Sequence, residues 1–156
     1  MSNNLSEWVP QALAQATAQA VRQCNALSEM YGQSLSDGQI VSLVQGRFAA
    51  LRDTGRVEPG VGVLPRLIYA FCDSPVIQRD EYCNTLGALQ TLFYDLKNEA
   101  ENTLTDDELI ETMKSIFNGR AQGSMEYMEN LTLADLFRAL RHAGREDDED
   151  FDDDDD

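Results

Sequence analysis

Apolar residues recur every three or four positions along almost the whole chain, and strict alternation is nearly absent. That pattern predicts helices and no sheet. The clearest stretch runs from about Arg79 to Glu101. There Tyr82, Leu86, Leu89, Phe93, Leu96 and Ala100 hold one face, while Glu81, Gln90, Asp95, Lys97 and Glu101 occupy the others. Two helix starts carry capping boxes, Ser36-Asp37-Gly38-Gln39 and Thr105-Asp106-Asp107-Glu108. In each, a hydroxyl is placed to accept from the third helical N–H and an acid or amide to reach back. Leu35 and Leu104 stand before them, ready to staple onto Ile40 and Leu109. The first of these helices continues through Leu43, Val44, Phe48 and Leu51 to Thr54-Gly55, with Gly46 mid-helix as a sign of close packing. The second runs through Met113 and Phe117 to Asn118-Gly119.

A further helix is predicted from Ser6, as N-cap, to Tyr31, with Leu13, Ala16, Ala20, Cys24, Leu27 and Tyr31 as its buried stripe and Gly32 as its stop. Residues 56–65 are the least helical part of the chain. Pro59-Gly60 marks a turn, and Val61 with Val63 suggests a short extended piece. Pro65 fits the first position of a short helix through Leu67-Ile68-Tyr69-Ala70-Phe71-Cys72, apolar on nearly every side and therefore expected to be the most buried. A short helical turn, Met125 to Glu129, follows Gly123-Ser124. Thr132 caps a last helix with Leu133, Leu136, Phe137 and Leu140 on its face and Gly144 at its end. The expected fold is all-α: an irregular bundle of five to six helices around a short, very apolar central helix. One domain covers residues 1–144, followed by a disordered acidic tail over 145–156.

Charge sharpens that division. The chain has 28 acidic and 12 basic residues, a net of −16, and ten of the acids fall in Glu146 to Asp156 around the lone Phe151. Without them the balance is 18 against 12, an ordinary mildly acidic domain. Such a tail repels itself and serves solubility, screens basic surface or engages a basic partner. A chain of 156 residues with 42% hydrophobic content supports a core without metal or disulfide staples. Cys24, Cys72 and Cys83 form an odd set with no paired spacing, which suits free thiols in a reducing cytosol. Neither a signal peptide nor an apolar run long enough to cross a bilayer is visible, so a cytoplasmic location is expected. The basic residues are scattered, which argues against nucleic acid and against anionic membranes.

Candidate chemistry is sparse. The acids at 105–108 lack the alternating spacing of a calcium loop and complement a helix dipole instead. Gly60-Val61-Gly62 is followed by Leu64-Pro65-Arg66, not by the Lys and hydroxyl of a phosphate loop. A helix start beside Arg66 suits at most a weakly held anion. His142 is the sole histidine, with no local nucleophile signature and no Glu-x-x-His pair. No catalytic residue, metal site or cofactor is expected. The most unusual polar set is Arg56, Glu58, Tyr69, Asp73, Lys97 and Glu99. It forms either a buried polar network or, where it converges, a cleft for an anion or small molecule.

Tyr31-Gly32, Asp53-Thr54-Gly55-Arg56-Val57-Glu58, the run Leu67 to Ser74, Lys97-Asn98-Glu99 and Asp106-Asp107-Glu108-Leu109 resemble a family of small bacterial proteins of unknown function, over about residues 25 to 140. The resemblance implies a bacterial cytoplasmic protein and brings no reaction or cofactor. The leading functional expectation is a non-catalytic protein–protein interaction module or accessory subunit, with homo-oligomerisation possible. Binding of a small molecule or anion at the polar set is the alternative. Capture of a basic partner by the acidic tail is a third reading.

Overall fold

The computed structural model describes the backbone of residues 4–101 and 103–147, and side chains between residues 11 and 142. Seven α-helices and no strand occur among the described residues: α1 (Asn4–Ser28), α2 (Asp37–Thr54), α3 (Leu64–Phe71), α4 (Tyr82–Ala100), α5 (Asp106–Asn118), α6 (Met125–Glu129) and α7 (Leu133–Asp147). Single 3-10 turns, Glu29–Tyr31 and Arg79–Glu81, extend α1 and precede α4. No described helix is long and apolar enough to cross a membrane.

Both capping boxes form. Ser36 Oγ accepts from Gln39 N at 3.1 Å while Gln39 Oε1 accepts from Ser36 N at 2.9 Å. Thr105 and Glu108 repeat the exchange at 3.1 and 3.0 Å. Thr132 caps α7 reciprocally with Asp135, so an acid there performs the part of the usual Glu. Gly32 and Gly55 end their helices in the left-handed conformation, at φ +81° and +70°.

Helix α4 is the hub, packed against α2, α3, α5, α6 and α7, while α1 lies across α2 and α3. The α2–α4 contact is close because glycines face it from both sides. A methyl at Gly46 would meet Gln90 Nε2 at 3.4 Å, and one at Gly87 would meet Leu43 Cδ2 at 3.6 Å. Helix α3 buries Leu64, Leu67, Ile68 and Phe71 against α1, α4 and α5, and Phe71 meets Phe117 of α5 edge-on at 5.4 Å. Its outer side, with Arg66 and Tyr69, is exposed.

Four expectations need correction. Helix α1 starts at Asn4, so Ser6 lies inside it and is not the N-cap. Its buried stripe is Thr17, Val21, Cys24 and Ser28, with Ala16 and Tyr31 exposed. The face is rotated because a polar residue, Thr17, has a buried partner that apolar periodicity does not register. Val61 and Val63 lie in a turn, since among the described residues there is no strand to pair with them. Finally, α7 continues through Gly144 to Asp147, Gly being tolerated in a helix at about 1 kcal/mol. The rest of the acidic tail, 148–156, lies outside the described residues.

Candidate functional site

The strongest polar arrangement is built on Arg47, which is fully buried although it carries a guanidinium. It occupies the apolar stripe of α2, one turn after Leu43 and Val44. Its Nε donates to Glu58 Oε1 at 2.8 Å, its Nη1 to Thr17 Oγ1 at 2.9 Å, and its Nη2 to the carbonyls of Gly60 at 2.9 Å and Glu58 at 3.3 Å. The Thr17 hydroxyl in turn donates a hydrogen bond to Leu13 O at 2.8 Å. Glu58 accepts in addition from Tyr94 OH at 2.5 Å and from Val63 N at 3.2 Å. Burial, and then the bond to the Glu58 carboxylate, push the Tyr94 phenol well above its ordinary pKa. The loop 56–63 is thus wound around one buried cation.

Gly60 and Gly62 make that winding possible. Both have positive φ, +61° and +75°. A Cβ on Gly62 would overlap Glu58 Oε1 and stand 2.8 Å from Arg47 Nε. The glycine pair cradles a carboxylate–guanidinium pair of the chain itself, not a phosphate.

A second network closes the turn between α4 and α5. Lys97 is 8% exposed, and its ammonium donates to Leu104 O and pairs with Asp106 Oδ1 at 2.9 Å. Arg66, at the start of α3, reaches Asp106 Oδ2 at 3.3 Å and Asp107 Oδ1 at 2.9 Å. The arginine expected beside an anion is therefore engaged by carboxylates of α5.

The six residues singled out from sequence occupy different places. Glu58 belongs to the Arg47 network and Lys97 to the α4–α5 turn. Arg56 is half-buried beside Glu58 in sequence, and its backbone N–H donates to Leu51 O. Tyr69 is on the outer side of α3, near the Cys24 thiol, whose proximity raises the Tyr69 pKa. Asp73 is exposed after α3, and Glu99 is exposed on α4. Sequence reasoning missed Arg47, Tyr94 and Thr17. The available signal was a polar residue on an apolar stripe: Arg47 within 40/43/44/47/51, and Thr17 within 17/21/24/28.

Glu99 also lines an open groove of about 660 Å³ between α4 and the end of α6. Ala88, Leu92 and Leu96 of α4 and Leu131 supply its apolar part, while Asp95, Glu99 and Glu129 supply carboxylates. A smaller groove between α5 and α7, about 340 Å³, carries Arg120, Arg138 and His142, with Arg138 held by Asp135 at 3.1 Å. Among the described residues no three His, Cys, Asp or Glu side chains are grouped to hold a metal ion.

Together these features define an all-α fold with two ionic networks built into its packing and open grooves on α4 and α6 and between α5 and α7. The chain belongs to a family of unknown function, DUF6323, whose model matches residues 20–146. No curated protein and no solved structure matches it.

Proposed function

We propose that this protein is a non-catalytic interaction module, or accessory subunit, of the bacterial cytoplasm. The observation that carries the reading is where its ionisable groups are used. Arg47, Glu58 and Tyr94 bond to one another, as do Lys97, Asp106 and Arg66, and a ligand at either set would have to displace bonds already made. The groove between α4 and α6 is lined by leucines and carboxylates, without a nucleophile beside a base. The free thiols agree with a reducing compartment. Cys24 and Cys72 are buried and unpaired, and burial raises the pKa of both.

The test is co-purification of the tagged protein at native abundance and moderate salt, followed by size-exclusion chromatography with light scattering. A defined complex with another protein is the expected outcome. A monomer that retains no partner under those conditions overturns the proposal.

A further inference from the structure

The geometry points to the groove between α5 and α7 as the docking site of the chain's own acidic tail, residues 148–156; this stands apart from the interaction-module reading above. Arg120, just past the end of α5, lines the groove with Arg138 and His142, one turn apart on α7, and with Ser115 of α5. All four residues are exposed, so the groups that would recognise an anion face solvent and are not part of the core. None of the ion pairs among the described residues reaches Arg120 or His142, and Arg138 is held only by Asp135 of its own helix. The adjoining stretch of the α5–α7 surface carries Asp107, Glu108 and Glu111, which confines an acidic segment to the basic end.

Charge and tether length together name the occupant. Helix α7 continues past His142 to Asp147, and eight of the nine residues that follow are Asp or Glu. Along the helix axis Asp147 stands roughly 8 Å from His142 and about 14 Å from Arg138. Nine extended residues span up to about 30 Å, so the tail can turn back and still pass all three cations. Its charges repel one another, and pairing with the cations reduces that repulsion. A tether this short also presents the carboxylates at a millimolar effective concentration. A free anion or a partner's acidic segment could meet the same cations only by displacing the tail. A second copy of the chain brings another net −16, which opposes its approach.

The test compares amide NMR spectra of the full-length protein with those of a full-length variant whose acids in 148–156 are replaced by their amides. Shift differences are expected at Ser115, Gly119 and Arg120, groove residues remote from the tail in sequence. Those differences should shrink at least about fivefold between about 0.01 M and about 1 M salt, as the Debye length falls from about 30 Å to about 3 Å. The same comparison is then made in a full-length background carrying Arg120→Gln, Arg138→Gln and His142→Gln. There, neutralising the tail should leave Ser115 and Gly119 unmoved. Identical shifts at Ser115, Gly119 and Arg120 in the parent and the tail variant overturn the proposal. So do differences that persist in the triple-substituted background or at the high salt. Differences that fade as the protein is diluted would put a second copy's tail in the groove, and overturn it too.

Discussion

Gly62 and Gly60 are two positions apart, share positive φ, and should respond very differently to a methyl group. At Gly60 nothing lies within 4 Å of the added carbon, so Gly60→Ala costs only the left-handed backbone, about 1–2 kcal/mol. At Gly62 the same carbon overlaps the Glu58 carboxylate and crowds Arg47, so Gly62→Ala should lose roughly 3–5 kcal/mol. Urea unfolding of the two variants side by side checks the contrast, and equal losses would remove Gly62 from the network. Arg47 itself extends the argument. Replacing it with Met strands Glu58 beside a core with no cation, at about 3–5 kcal/mol. The double variant Arg47→Met, Glu58→Leu should recover part of that loss in a double-mutant cycle, because both charges leave together. Purely additive losses would mean that the 2.8 Å ion pair contributes no coupling.

Helices whose ends are written in local chemistry were legible from sequence, and those whose faces depend on distant partners were not. The capping boxes at Ser36 and Thr105 involve residues three apart, so spacing alone located the starts of α2 and α5. Helix α1 failed the same approach, because its register is set by the Thr17–Arg47 bond across thirty residues. The polar set was legible as unusual, yet its members divide between two networks and the surface, since sequence does not say which charged residues meet. At this scale the turn from α4 to α5 makes a sharp comparison. Lys97→Met should cost about 2 kcal/mol, because the Leu104 carbonyl loses its buried donor. Arg66→Met, removing a half-exposed partner of the same Asp106, should cost less than about 1 kcal/mol. Thermal melts in which Arg66→Met is the more damaging would place the anchor of the turn on α3 instead.

Across the whole molecule, the buried acids that titrate late are thiols and phenols, and they set an alkaline limit to stability. Burial raises Cys24, Cys72 and Cys83 above their ordinary 9.0, and raises Tyr82 and Tyr94 above 10.0. The unfolded chain releases these protons at the ordinary values while the folded chain still holds them. Unfolding therefore releases protons above about pH 9, and stability falls as pH rises. Their contribution is complete below pH 9 and is lost progressively as pH climbs towards the folded-state values. Urea midpoints should be flat from pH 7 to 8.5 in this respect and decline steadily by pH 10.5. The two tyrosines separate the sources. Tyr82 OH and Ser28 Oγ are both buried without a hydrogen-bond partner. Tyr82→Phe should then be neutral or slightly stabilising at pH 7 and flatten the alkaline decline. Tyr94→Phe should flatten it too, but lose about 1–2 kcal/mol at pH 7, because Glu58 forfeits a donor. A midpoint that stays level to pH 10.5 in the parent protein would show that these protons are released as readily from the folded chain, and that the helices leave the phenols open to water.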